Sequence, residues 1–261
     1  MGYHCVVVVR EVWDTRDLVG SPLDEAGQIR PGALQTRFEP EDLNALEAAL
    51  RIKDAHGGKV TAIAVGESRG VDVLRECLYR GADEVRKVAA DPAALDDQAL
   101  GALLAGAVRS LGAYDLVLVG ASSVDGENSL LGPHLAAALG VPQVSWVDAL
   151  EDVGPGRAVA KRAVEMGYEF VEVKFPALCS MGVALLEDDP RAPRSAKAML
   201  KLKMKKADIP AIAPAADPAA AVTTRVAKRE SIPPRTIESK DVAADDPAAL
   251  QAMLDQVLKG E

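Results

Sequence analysis

The chain is 261 residues long, 49% apolar but only 3% aromatic, and carries a formal net charge of −9. That length fits one large domain, or one domain with appendages, whose core must be filled by Val, Leu, Ile and Ala. The acidic balance argues against nonspecific nucleic-acid binding. No apolar run approaches the ~20 residues of a membrane-spanning helix, and the N-terminus lacks a signal-peptide pattern. A cytoplasmic protein with no membrane insertion is expected. Cys5, Cys77 and Cys179 are odd in number, far apart and set in apolar surroundings, so they read as reduced core thiols, not as a disulfide set or a metal site.

In chain order, Cys5–Val9 is a run rich in β-branched residues, as in a parallel sheet covered on both faces. It ends at Arg10, and the polar residues Glu11, Asp14, Arg16 and Asp17 follow. Residues 15–38 hold Gly20, Pro22, Gly27, Pro31 and Gly32 and read as loop, with at most a small hairpin. Glu39-Pro40-Glu41-Asp42 opens a helix, with Pro near its first position and acids at its positive end. Leu43, Leu46, Leu50 and a snorkelling Lys53 share one face of it, and Gly57-Gly58 stops it. Lys59–Val65 is the second clear strand; a loop, Gly66–Gly70, leads to a helix bearing Val71, Leu74 and Leu78, closed by Gly81. Glu84–Val88 is the third strand, and Asp96-Asp97 starts a helix that buries Leu100, Leu104, Val108 and Leu111. Strands alternating with helices in this way predict an α/β fold built on a doubly wound parallel sheet.

Ala113–Gly140 is the stretch around which the chain is organised. Leu116–Val119 reads as a buried strand that breaks at Gly120; a polar loop, Ala121–Asn128, carries Asp125, Gly126 and Glu127. Ser129 opens a helical pattern through Leu135 and Leu139, stopped by Gly140 and Pro142. A strand, a Gly-containing loop and a helix N-terminus make a common cradle for an adenine nucleotide, because first-turn N–H groups have no intrahelical acceptors and the helix dipole favours an anion. The same pattern also fits an ordinary βα connection, and the residues alone leave both readings open.

Beyond Gly140, Gln143–Val147 is a strand. Arg157–Val164 and Tyr168–Phe175 alternate around Glu165-Met166-Gly167 as a β-hairpin, and Ala177–Met181 is a further apolar strand. Residues 191–206 gather Arg191, Arg194, Lys197, Lys201, Lys203, Lys205 and Lys206, either a solvated face or a docking segment. Residues 207–222 are rich in Ala and Pro and read as an extended linker. Asp246 then caps a short helix with Pro247 at its first position and an apolar stripe of Leu250, Leu254, Val257 and Leu258. A helix this short is marginal alone in water, so a partner surface is expected for it. The domain organisation read from these shifts is an α/β domain over 1–190, a basic segment over 191–206, a linker and extended arm over 207–245, and a terminal helix over 246–261.

No catalytic constellation stands out. His4, His56 and His134 lie in separate elements without Cys or carboxylate at metal-ligand spacing. No nucleophile elbow, Walker A sequence or full G-x-G-x-x-G occurs. A carrier or binding protein is expected, not an enzyme acting alone.

Five motifs in order resemble the beta subunit of electron transfer flavoproteins, over about residues 3–210. The opening strand through Arg10 to Asp14 is similar to the family's valine-rich strand with a basic residue and a V-x-D stretch. Glu39 to Leu50, EPEDLNALEAAL, resembles N-P-x-[DE]-x-x-A-[VL]-E-x-A-[LV]; Tyr79-Arg80-Gly81-Ala82-Asp83 resembles A-x-G-A-D. Val124 to Pro133, VDGENSLLGP, is similar to the D-G-D-T-x-Q-V-G-P loop; Asp189-Pro190-Arg191 resembles the E-P-R that precedes a Lys-rich segment, here Lys201 to Lys206. The chain departs from the pattern at Glu39, where the family has Asn, at Asn128 and Leu130 in place of Thr and Gln, and near Ser195, where the family presents a leucine to dehydrogenases.

The resemblance implies a Rossmann-like subunit of a heterodimer in which an alpha subunit holds most of the redox-active FAD. The beta subunit holds its own nucleotide, AMP or, in the electron-bifurcating branch, a second FAD. Its basic region would dock acyl-CoA and related dehydrogenases, its C-terminal arm would wrap the alpha subunit, and electrons would pass to a quinone-linked oxidoreductase or another acceptor. Because open α/β sheets bind ligands outside the carboxyl ends of their strands, the nucleotide is expected against Val8, Val9 and Arg10; Glu39, Pro40 and Asp42; Val65 and Gly66; and Gly120, Ala121, Ser122, Asp125, Gly126, Asn128, Ser129, Leu130, Leu131 and Gly132. Leu130 removes a polar partner and Glu39 and Glu127 bring negative charge, which favours AMP over FAD. The alternative is a stand-alone adenine-nucleotide-binding module of the same fold, which would have no use for a wrapping arm.

Overall fold

The computed structural model describes residues 2–16, 18, 20–25, 27–66, 71–124, 126, 128–183, 209–214, 217–227 and 246–259. The expected basic segment, Ser195, Asp189-Pro190-Arg191, Asp125, Glu127 and most of the arm lie outside them.

The first strand, β1 (Tyr3–Val8), sits at the centre of the sheet. Its alternate side chains enter two cores: Tyr3, Cys5 and Val7 go to one face, Val6 and Val8 to the other. Such double burial is why the sequence is apolar at successive positions rather than at every second one. A short ribbon follows, β2 (Glu11–Trp13) paired antiparallel with β3 (Thr36–Phe38), and Leu23 bridges Ile29 within the intervening loop. α1 (Pro40–His56) leads to β4 (Gly58–Val65), parallel to β1. Gly57 and Gly58 both take positive φ, 75° and 108°, and a Cβ on Gly58 would lie 2.0 Å from the Tyr3 carbonyl oxygen. Only glycine allows the chain to turn so tightly against β1.

α2 (Val71–Arg80), β5 (Glu84–Val88), α3 (Asp97–Ser110) and β6 (Leu116–Gly120) continue the alternation. α1 and α2 pack on one face of the sheet and α3 and α4 (Leu131–Leu139) on the other. The chain is therefore doubly wound, as the sequence predicts. β7 (Gln143–Gly154), β8 (Arg157–Val164) and β9 (Gly167–Lys174) form an antiparallel meander, and β10 (Ala177–Met181) inserts between β6 and β7. β7 is longer than the expected Gln143–Val147. Register shifts and a positive φ of 56° at Trp146 let it leave β10 and continue along β8. Ala211–Ile212 (β11) adds parallel to β5, giving among the described residues the order β11-β5-β4-β1-β6-β10-β7-β8-β9. A 3-10 turn, Pro218–Ala221, packs on α3.

Cys5, Cys77 and Cys179 are buried free thiols, and burial raises all three pKa values, those of Cys5 and Cys179 to about 12. They are inert core residues. Among the described residues no helix is long and apolar enough to cross a membrane, and no group of His, Cys, Asp and Glu is placed to hold a metal ion. Residues 228–261 form a separate unit. Its helix, α5 (Pro247–Lys259), is capped by Asp246, whose carboxylate accepts from the Ala249 N–H at 3.0 Å, and it exposes Leu250, Met253, Leu254 and Leu258.

Candidate functional site

β1 is flanked by β4, to which the chain goes first, and by β6, which it reaches after crossing to the other face. The order in which strands are added thus reverses between the parallel β1 and β6, and a crevice opens outside the carboxyl ends of strands at such a point. What fills the rim here is decided by the first turn of α1. Asp42 is fully buried and takes hydrogen bonds from the Arg10 backbone N–H at 2.8 Å and from Arg10 Nε and Nη2 at 2.9 and 2.8 Å. It also accepts from the Gly120 N–H at 2.7 Å. Arg10 Nη2 continues to the carbonyl of Ser122 at 2.6 Å, so one ion pair ties the ends of β1 and β6 to α1. A Cβ on Gly120 would fall 2.7 Å from Asp42 Oδ1 and 2.8 Å from Arg10 Nη2; only glycine leaves room for the pair.

Two further acids reach over the same loop. Glu41 accepts from the backbone N–H of Ser122 and, at 3.1 Å, from its hydroxyl. Glu39 caps α1 and accepts from the Val124 N–H at 3.0 Å. Burial lowers the tendency of Arg10 to hold its proton, but the charge and hydrogen bonds of Asp42 override it and its pKa rises. Burial raises the pKa of Glu39, the Val124 N–H opposes that, and the charge of Asp42 reinforces it. The acids at the start of α1 therefore do more than complement a helix dipole: they brace the loop that runs from β6 towards α4.

α4 begins at Leu131, later than the Ser129 expected from the sequence. Asn128 Oδ1 accepts from the Leu130 N–H at 3.1 Å and holds the preceding turn off the helix. Unlike α1 and α3, which are capped by Glu39 and Asp96, α4 has no side-chain cap. The N–H groups of Leu131 and Gly132 in its first turn have no intrahelical acceptor. Gly132 brings the helix close to the sheet: a Cβ there would stand 3.4 Å from both Gln143 Nε2 and Ser180 Cβ.

The expected site residues that the structure describes fall along one rim, Asp125 lying outside the described residues. Val8, Val9, Arg10, Val65 and Leu131, with Glu11, Pro92, Leu100 and Leu104, line a crevice of about 60 Å³. Gly66 follows β4 and bonds the Val88 carbonyl, while Gly120, Ala121 and Ser122 end β6. Pro40 starts α1; Gly126, Asn128, Ser129 and Leu130 form the approach to α4, with Leu130 half exposed. Glu39 and Asp42 lie under the rim, with their oxygens engaged by the loop. The sequence reading took Glu41 only as part of the stretch 39–42 expected against the nucleotide, and it did not point to Asn44, whose Nδ2 donates to the Gly182 carbonyl at 2.6 Å. No sequence signal points to these contacts, because the burial of Glu41 and Asn44 arises only in the folded chain. The three histidines stand apart: His4 bonds Ala113 and Thr61, His56 lies edge-on to Tyr3, and His134 packs against Gly101.

Fold and rim together define a doubly wound α/β protein with an uncapped helix N-terminus at its switch point. The sequence model of the Electron transfer flavoprotein domain matches residues 31–226. The electron transfer flavoprotein subunit beta of Thermoanaerobacterium thermosaccharolyticum is 37% identical over 176 residues, covering 67% of this chain and 66%, just under two thirds, of that protein. The protein of the same name from Megasphaera elsdenii is 33% identical over 273 residues, 97% of this chain and 96% of its own. The caffeyl-CoA reductase-Etf complex subunit CarD of Acetobacterium woodii is 34% identical over 189 residues, 71% of this chain and 70% of its own. The chain belongs to the electron transfer flavoprotein family.

Proposed function

We propose that this chain is the beta subunit of a heterodimeric electron transfer flavoprotein and holds an adenine nucleotide in the crevice between β1, β4 and β6. The observation that carries the reading is the uncapped first turn of α4 at the switch point of the sheet, in a chain whose relatives include electron transfer flavoprotein beta subunits. The residues fit such a group: the N–H groups of Leu131 and Gly132 offer donors to a phosphate, and Val8, Val9, Val65 and Leu131 offer an apolar wall for a base. Arg10, Glu41 and Asp42 do not contribute by charge at the rim, because they are satisfied by the loop itself; they hold it in a fixed shape. Bracing of this kind fixes the β6 end of the loop, residues 120–124, and lowers the cost of ordering the rest when an anion binds.

AMP is the nucleotide favoured. Leu130 stands beside the phosphate turn with no polar group to offer beyond the first phosphate. FAD, held mainly by the alpha subunit, supplies the redox chemistry when bound; the role of this chain is to bind and orient. Dehydrogenases such as acyl-CoA dehydrogenases are the proposed donors and a quinone-linked oxidoreductase or similar protein the acceptor, with the basic segment 191–206 as docking element and residues 207–261 as the arm that meets the alpha subunit. The test is co-expression with an alpha subunit followed by acid extraction of the purified complex. AMP and flavin released in equal amounts support the reading. Flavin alone, in twofold excess over complex, replaces AMP by a second FAD, and failure to form a complex leaves only a nucleotide-binding module.

A further inference from the structure

Helix α3 borders both the crevice and the segment that leads to the C-terminus. On one side Leu100 and Leu104 line the crevice with Leu131. On the other, Ala99, Ala102, Leu103 and Gly106 line an apolar cavity of about 270 Å³ roofed by Ile212 and Pro218. The start of the helix offers two adjacent carboxylates that reach in different directions. Asp97 Oδ2 accepts from Asn128 Nδ2 at 3.1 Å, and the same Asn128 accepts from the Leu130 N–H with its other atom. Asp96 caps α3 through the Ala99 N–H at 2.8 Å. Its second oxygen accepts from the backbone N–H groups of Thr223 and Thr224 at 2.7 and 2.8 Å and from their hydroxyls at 3.1 and 3.0 Å. The C-terminal segment is thus fastened at β5 by β11, on α3 by the 3-10 turn, and at Asp96 by the threonine pair.

We propose that α3 couples the nucleotide crevice to this segment, so that nucleotide bound at the α4 N-terminus tightens the clasp of Thr223 and Thr224 on Asp96. The inference rests on the nucleotide reading above. A phosphate that orders the Leu130–Gly132 turn also fixes Asn128, which is bonded to that turn, and through it Asp97 and the first turn of α3. α3 and α4 respond as one body, because Gly101 brings them so close that a Cβ there would stand 2.9 Å from His134 Cβ. The clasp lies one residue from Asp97. Coupling of this kind is reciprocal: what the nucleotide does for the clasp, the clasp does for nucleotide affinity. The segment runs on into residues 228–261, so occupancy of the crevice governs how firmly the root of the arm is held.

Hydrogen exchange at the Thr223 and Thr224 amides of the full-length protein, with and without saturating AMP, tests this. AMP binding is measured separately by calorimetry. Exchange is expected to slow about fivefold or more on binding. In Asp97→Ala, AMP still binds but exchange at the two threonines no longer responds. Asp96→Asn keeps a good helix cap but turns an amide NH2 towards the threonine donors, and AMP affinity falls by about the same fivefold factor. AMP binding to the wild-type chain with unchanged exchange overturns the coupling alone, as does an undiminished response in Asp97→Ala. No AMP binding at all overturns the nucleotide reading and the coupling with it.

Discussion

Asp42 shows how a single buried residue sets the shape of the rim. It takes three hydrogen bonds from Arg10 and one from Gly120, and its removal leaves the guanidinium with the carbonyls of Gly120 and Ser122 and only the more distant charges of Glu39 and Glu41. Breaking a buried pair from one side costs about 3–5 kcal/mol, so Asp42→Ala is expected to lose that much in urea denaturation and to lose AMP binding with it. Glu39 behaves in the opposite sense. Its pKa in the folded chain lies above the ordinary 4.5, with burial as the first cause. Below the unfolded value it is protonated in both states and costs nothing. As pH rises past that value the unfolded chain ionises first, and the folded state loses stability until the raised folded pKa is passed. Glu39→Gln keeps an oxygen for the Val124 N–H and removes this loss. Its melting temperature is expected to exceed wild type at pH 7, with the gap closing by about pH 4; a constant gap would remove the assignment. These bonds were not legible in the sequence, where Glu41 and Asp42 read as acids at a helix N-terminus and Asp42, through the family resemblance, as a nucleotide contact. Their contacts join positions far apart in the chain, and no local pattern records them.

Among the elements, the ones that read clearly were those with a strong local signal. β1, β4 and β6 are apolar runs, and α1, α3 and α5 carry Pro or Asp at their starts. What escaped was determined by neighbours. Ala211 and Ile212 are too few to show a period and become a strand because Lys87 and Ala89 offer N–H groups at the edge of β5. β7 looked short because Asp148, Glu151 and Asp152 interrupt its apolar pattern, yet β8 holds it from Val147 to Gly154. The start of α4 moved to Leu131 because Asn128 competes for the Leu130 N–H, an Asx-type turn. The uncapped end that results is the feature on which the proposed nucleotide binding rests. Leu130→Asp would set a carboxylate at this positive helix end, adding about 0.3–1 kcal/mol of stability. The new charge opposes a phosphate there, so AMP affinity should fall about tenfold, or about 1.4 kcal/mol. Higher stability with unchanged AMP affinity would place the phosphate elsewhere.

At the scale of the whole molecule, the order of strands creates the crevice and the family relationship says what kind of protein uses it. The alternation of strands and helices gave the doubly wound class from sequence. The insertion of β10 between β6 and β7 did not follow from it, since two apolar strands leave their pairing open. α5 shows Leu250, Leu254 and Leu258 exposed along one stripe, the face expected to meet an alpha subunit. Deleting residues 228–261, which spares the threonines bonded to Asp96, is expected to weaken the heterodimer at least tenfold by sedimentation or calorimetry, about 1.4 kcal/mol or more, with the melting temperature of the main domain unchanged. Equal affinity would assign the subunit contact to another surface.

Photolabelling with 8-azido-AMP tests most directly whether an adenine nucleotide occupies the rim between β1, β4 and β6. Labelled peptides containing Val8–Arg10, Val65-Gly66 or residues 120–132, protected by excess AMP, are the predicted result. Label confined to other peptides, or label on these that AMP does not compete away, would contradict it.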